Sequence, residues 1–230
     1  AAAAPLLAPG SRLLALGGSC TVAVGMCAAA RRAGHRPRLV YVDRHLDLNT
    51  PASTTEGSLS WMGVAHCLDV PGAAPELAHL DGAAPLLRPA DLVHLGVQLS
   101  ETTAGEREQR DALGLRVVDQ DELVRHPDEA ASAALAVLSE GPFLVHLDVD
   151  VLDFLDAPLA ENVNGRNSGP TLTQLEVALA RLWQHPDCLG LSVGQLVPAH
   201  AAADPPALDR FVATLVGAAT ADAGRVQRGP

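Results

Sequence analysis

Arg38-Leu-Val-Tyr-Val-Asp43-Arg-His45-Leu-Asp47 runs from an apolar stretch straight into two acids and a histidine. Leu39 to Val42 reads as a β-strand. If extended geometry continues past Val42, Asp43, His45 and Asp47 fall on one side, because side chains alternate along a strand. Phe143-Leu-Val-His146-Leu-Asp148-Val-Asp150 repeats the arrangement, an apolar strand ending in two acids. In a parallel sheet both clusters emerge at the carboxyl edge, where α/β proteins build their sites. Four carboxylates around one imidazole repel one another unless cations neutralise them.

Outward from these two stretches, short apolar runs alternate with helix-like segments, the pattern of parallel strands and crossover helices. Arg12 to Gly17, Leu92 to Val97, Leu115 to Val118 and Leu189 to Leu196 read as further strands. Helices are expected from Val24 to Arg32, capped by Ser19 or Thr21 and ended by Gly34, and over Leu59 to Leu68, Ala104 to Leu113, Pro127 to Ser139, Thr171 to Trp183 and Pro206 to Ala218. No internal repeat or low-complexity linker divides the chain, so residues 1–230 are expected to form a single α/β domain.

At 48% apolar residues the 230-residue chain has ample material for a core, and no apolar run approaches the ~20 residues of a membrane span. A formal charge of −11, with one Tyr, three Phe and two Trp, argues against a nucleic-acid partner. Cys20, Cys27, Cys67 and Cys188 form no C-x-x-C pair, which points to a reduced, cytoplasmic setting. Cys27, Cys67 and Cys188 read as buried small apolar residues, and His66, His94 and His146 as satisfied core histidines. Gly17-Gly18 precedes a helix but lacks the six-residue dinucleotide fingerprint, so no nucleotide site is expected.

Gly17-Gly-Ser-Cys20, Asp43-Arg-His-Leu-Asp47 with Asn49-Thr-Pro51, Ser53-Thr-Thr-Glu-Gly-Ser-Leu59 and His146-Leu-Asp-Val-Asp150, with Asp153, Pro158 and the Gly169-Pro-Thr-Leu helix start, resemble the ureohydrolases, the family of arginase and agmatinase. The resemblance covers residues 12 to about 215. It implies a three-layer α/β/α fold with a mainly parallel sheet of about eight strands. Only sixteen residues precede the Gly-Gly pair, so an amino-terminal strand and helix are expected to be lacking. It further implies a binuclear centre, usually manganese, with one or two ions held. Asp43 and Asp148 would bridge, His45 and Asp150 complete one site, and Asp47 and Cys20 complete the other. Family members carry His at the Cys20 position. A thiolate is a softer donor than manganese prefers, so this site would bind manganese weakly or favour zinc or iron. Such a pair of metals would lower the pKa of a bridging water towards ~7, with Asp47 orienting the resulting hydroxide.

Two departures bear on chemistry. Ser60 stands where arginases place a proton-shuttling His, and Ser cannot titrate near neutrality. Gln195 stands where a Glu pairs with the substrate guanidinium, and an amide hydrogen-bonds without supplying charge. Asn49, Thr54 and Ser58 fall in the loop that grips the amino-acid end of the substrate, and Glu101 could meet its α-amino group. The resemblance is nearest to the branch that hydrolyses N-omega-hydroxy-L-arginine to hydroxyurea and L-ornithine in D-cycloserine biosynthesis. Arginine or agmatine hydrolysis, and a non-catalytic metal-binding or regulatory member of the fold, stand as alternatives, with a deacetylase on the same general fold as a weaker one.

Overall fold

The apolar runs do become strands. The computed structural model describes residues 3–7, 11–54, 57–160 and 167–221. Strands β1 (Leu13–Leu16), β2 (Leu39–Val42), β3 (Leu92–Val97), β4 (Arg116–Asp119), β5 (Phe143–Asp148) and β6 (Cys188–Gly194) form one sheet in the order β1-β6-β5-β2-β3-β4, and every pairing is parallel. The sheet has six strands among the described residues, not the eight that the resemblance implied. The intervening stretches take up their apolar residues at helical spacing instead. Helices α1 (Thr21–Arg32), α2 (Gly63–Leu68), α3 (Pro75–Ala78), α4 (Ala104–Leu113), α5 (Gln120–Arg125), α6 (Pro127–Val137), α7 (Leu172–Trp183), α8 (Pro198–Ala203) and α9 (Pro205–Thr220) supply the connections.

Alternation along the strands sorts the core into two clusters. Val40 and Val42 of β2 face a cluster with Ala134 of α6, Leu179 of α7 and Phe211 of α9, whereas Leu39 and Tyr41 face one with Val24 and Cys27 of α1 and Cys67 of α2. Helices on both faces make three α/β/α layers, which is why strands β2, β3, β5 and β6 are buried along their whole length. Cys27, Cys67 and Cys188 are buried and unbridged, and His66, His94 and His146 are fully buried. Among the described residues no helix is long and apolar enough to cross a membrane.

Capping boxes at Thr103/Glu106 and Thr171/Gln174 start α4 and α7. The cap of α1 differs from expectation: Cys20 occupies the N-cap without a side-chain cap bond, while Ser19 Oγ accepts only from Thr21 N at 3.3 Å. The stretch Leu59 to Leu68 divides into a 3₁₀ turn (Leu59–Met62) and α2, and the last strand stops at Gly194, two residues short of Leu196.

The sheet order places the site. After β4 the chain returns to lay β5 beside β2 on the side away from β3, a topological switch point. Val42 of β2 pairs with Leu147 of β5, so Asp43 and Asp148 leave the sheet at the same level on neighbouring strands.

Candidate metal centre

Both acid motifs exit their strands by the same local device. Asp43 Oδ1 accepts from the backbone N–H of His45 at 2.6 Å, and Asp148 Oδ1 from that of Asp150 at 2.8 Å. An Asp whose carboxylate captures the N–H two residues on makes an Asx turn, which ends the strand and leaves the other oxygen to face the neighbouring strand. Asp43 is fully buried, and its Oδ2 has no hydrogen-bond partner among the described residues.

Around Asp43 two donor sets converge. Ligand atoms of Cys20, Asp43 and Asp148 all lie within 4.8 Å of one another, and so do those of Asp43, His45 and Asp150. Asp43 alone is common to both. The Cys20 thiol donates to Asp148 Oδ2 at 2.8 Å, and His45 Nδ1 lies 3.1 Å from Asp150 Oδ2 and 3.4 Å from Asp43 Oδ1. Cys20 reaches Asp148 because position 194 is glycine: a Cβ there would sit 3.0 Å from Cys20 Sγ and 3.1 Å from His146 Cε1.

The cluster is electrostatically unfinished. Burial, reinforced by Asp150, pushes the Asp43 carboxyl up to about 6 despite His45. Burial and then the neighbouring acids push Asp148 and Asp47 well above the usual carboxylate range. The Cys20 thiol is raised by burial and by Asp148. Burial opposes charge on His45, yet Asp150 and Asp43 outweigh it and hold the imidazole well above its ordinary range. Protons thus sit where a cation would relieve the same repulsion. An orphaned buried carboxylate oxygen flanked by S/O/O and N/O/O donor sets fits two divalent ions, with Asp43 shared.

Asp47 joins neither set. Extended geometry ends at Val42, and Asp47 takes a left-handed conformation (φ +51) with its carbonyl accepting from Ala65 N. Its side chain accepts a hydrogen bond from the buried Tyr41 hydroxyl. The one-sided array of Asp43, His45 and Asp47 is therefore corrected to a pair plus an acid held beside it. By sequence Tyr41 reads only as an apolar strand residue. Its position two before Asp43, on the same face of β2, is the signal that could have drawn it in. Arg44 was also passed over: fully buried, it donates to Gln120 Oε1 at 3.2 Å and to Ser168 O and Oγ at 3.0 and 2.9 Å. It fixes the turn between Asp43 and His45 to the segment that starts α7.

The remaining candidates ring this centre unevenly. Glu101 Oε2 stands 4.0 Å from His45 Nε2 and 3.7 Å from Arg44 Nε. Ser60 is buried with its Oγ 2.6 Å from Ser58 Oγ. Asn49 Oδ1 accepts from Ser53 Oγ at 3.2 Å, so that amide oxygen is engaged within its own loop, and Thr54 is half-buried. Gln195, half-buried just past β6, adopts φ +59 and donates its N–H to Gly18 O at 3.0 Å, tying it to the Gly-Gly turn that carries Cys20.

A parallel sheet between two helical layers, with acid, Cys and His donors gathered at its switch point, defines a three-layer α/β class with a candidate metal site at its carboxyl edge. The sequence pattern of the Arginase family matches residues 1–218, and the chain belongs to that family. Human arginase-1 is 28% identical over 145 residues, 61% of this chain and 44% of that protein. The chain spans about half the length of the relatives it matches in sequence. The crystal structure of arginase from Bacillus caldovelox superposes with a TM-score of 0.82 at 23% identity, covering 96% of this chain and 72% of that one. Formimidoylglutamase from Bacillus subtilis gives 0.75 at 17%, covering 95% and 63%. These two likenesses establish the fold.

Proposed function

We propose that the protein is a metal-dependent amidinohydrolase that cleaves a C–N bond of a linear guanidine, with N-omega-hydroxy-L-arginine as its preferred substrate. The observation that carries the reaction class is Asp43, a buried carboxylate shared by two donor sets and with one oxygen orphaned. Cys20, Asp43 and Asp148 would hold one ion and Asp43, His45 and Asp150 the other. When bound, two divalent ions, manganese by family resemblance, supply Lewis acidity and activate water for attack on a planar guanidino carbon.

The protein's own groups do the rest. Water adds at the guanidino carbon and the carbon–nitrogen bond to the ornithine side breaks, with the proton from water passing to the departing amine. The products are hydroxyurea and L-ornithine. Asp47, fixed by Tyr41, is an acceptor placed beside the cluster to orient the attacking water. Gln195 offers a neutral amide where a guanidinium partner is needed, and Ser60 offers no group that titrates near neutrality. Arginine's guanidinium is fully protonated, so it demands a carboxylate partner that a neutral amide does not supply. A hydroxyguanidine is much less basic, binds neutral, and can use the Ser58–Ser60 hydroxyl pair for its extra oxygen. Asn49, Thr54 and Glu101 are assigned to the amino-acid end. On this reading the enzyme works in the cytoplasm, in an antibiotic pathway of the D-cycloserine type.

Steady-state assays of metal-loaded protein test it. A kcat/KM for N-hydroxyarginine at least about tenfold above that for arginine and agmatine, roughly 1.4 kcal/mol, is the expected result. Equal or better turnover of arginine or agmatine would overturn the substrate. Asp43→Ala is expected to lose metal and turnover together, and full metal occupancy in that variant would overturn the centre itself.

A further inference from the structure

At the opposite edge of the sheet, a cavity of about 330 Å³ opens between the end of α1, the Arg36-Pro37 approach to β2 and the Pro85 to Asp91 approach to β3. It lies a full strand length from Asp43, roughly 13 Å for four residues. Three guanidiniums from three separate segments line it: Arg31, Arg36 and Arg88. Arg36 and Arg88 are anchored on Asp91, which is 2% exposed. Arg36 donates from Nε at 3.2 Å and Nη2 at 2.5 Å, and Arg88 from Nε at 2.9 Å. Ser139 Oγ, itself held by Arg38 Nε, completes the carboxylate at 3.1 Å. Arg31 is steadied by Ala83 O, Pro85 O and Asp81.

The bonds to Asp91 use Nε and Nη2 of Arg36 and Nε of Arg88, and Arg31 is held through Nη1 and Nε, so each five-donor guanidinium keeps donor capacity beyond its anchor. Asp91 and Asp81 do not cancel the three cations, so the cavity is net positive on a chain of charge −11. Pro37, Pro85 and Leu86 supply an apolar wall. Guanidinium forks preorganised by a buried carboxylate match the geometry of phosphate oxygens. The volume exceeds a bare phosphate and leaves room for an organic body against the apolar wall.

We propose that this cavity is a binding site for a small organic phosphate monoester, separate from the metal centre. The test is calorimetric titration of metal-loaded protein with phenyl phosphate and with inorganic phosphate at constant ionic strength, in the wild type and in Arg88→Gln, Arg31→Gln and Asp148→Asn. Saturable binding of phenyl phosphate, tighter than inorganic phosphate, is expected. Arg88→Gln and Arg31→Gln should each weaken it about tenfold or more, and Asp148→Asn should leave it unchanged. In Arg88→Gln the bonds of Arg36 and Ser139 to Asp91 remain, thermal unfolding checks that the fold is kept, and Arg88→Lys should restore part of the affinity. Turnover should be unaltered in Arg88→Gln. No saturable binding, binding of inorganic phosphate alone, or binding that survives both arginine variants but fails in Asp148→Asn would each overturn the proposal, the last placing the anion on the metal centre.

Discussion

Asp91 and Asp43 are both buried aspartates at opposite edges of one sheet, and their surroundings differ in kind. Asp91 receives three guanidinium N–H bonds and a serine hydroxyl. Asp43 receives one backbone N–H, faces Asp150 and keeps one oxygen without a partner. Burial of a carboxylate is tolerable when donors replace the lost water and costly when they do not. The amino-edge acid is therefore complete in the folded chain, whereas the carboxyl-edge acid keeps an oxygen that a bound cation would complete.

If that contrast is right, pH should reveal it most strongly. With its carboxyl raised to about 6, Asp43 favours the metal-free fold at low pH. That contribution is fully present below about 3.8 and is lost as pH rises through about 6, up to about 3 kcal/mol. Metal removes the cost by replacing the proton, so the gap in unfolding free energy between loaded and metal-free protein should widen as pH rises from 4 through about 6, and widen further as Asp148, His45 and Cys20, all raised, also give up protons to metal. His94 and His146, lowered by burial to about 4 and about 3, titrate alike in both forms and cancel to first order. Urea unfolding with and without chelator across this range measures the gap. A gap that stays flat or narrows with rising pH would remove the basis for the comparison.

Matched substitutions sharpen it next. In chelator at pH 7.5, Asp43→Asn should stabilise the metal-free protein by about 1–3 kcal/mol, because a buried charge without compensation disappears. Asp91→Asn should destabilise it by about 1–3 kcal/mol, below the roughly 3–5 kcal/mol of a fully buried pair, since Arg36 and Arg88 are half-exposed and regain water. The opposite signs are the point, and equal signs in thermal unfolding would mean that the two acids are the same kind of structural residue.

Cys20 offers the smallest and most specific effect. Cys20→His should raise manganese affinity about tenfold, roughly 1.4 kcal/mol, because imidazole suits manganese better than thiolate. Cobalt loaded into the wild type should show a thiolate charge-transfer band that Cys20→Ala lacks. Identical metal affinities and spectra in all three proteins would make Cys20 a core residue beside the Gly17-Gly18 turn.

Much of the carboxyl edge was legible in advance. The strand-plus-acid stretches at Leu39 to Asp43 and Phe143 to Asp148 declare both the parallel sheet and the place where charge accumulates, because strand periodicity and chain direction are local properties. Thr103 with Glu106 and Thr171 with Gln174 start helices for the same local reason. Asp47 is not legible in the same way because its direction is set by Tyr41 and by the Ala65 N–H, groups that only the folded chain brings to it. The strand count failed because it came from the resemblance and not from residues of this chain.

What the sequence determined alone was the inventory and its periodic order: alternating apolar runs, acids at strand ends, and the substitutions Cys20, Ser60 and Gln195 at family positions. Tertiary structure decided which acids share an ion, since Cys20 meets Asp148 only because β6 lies beside β5 and glycine at 194 leaves room. It also decided that Arg31, Arg36, Arg88 and Asp91 surround one cavity, although they span the chain from α1 to β3. Periodicity acts through bonds between neighbours in sequence, whereas a site's geometry arises from contacts between segments that meet only after the sheet has closed its register.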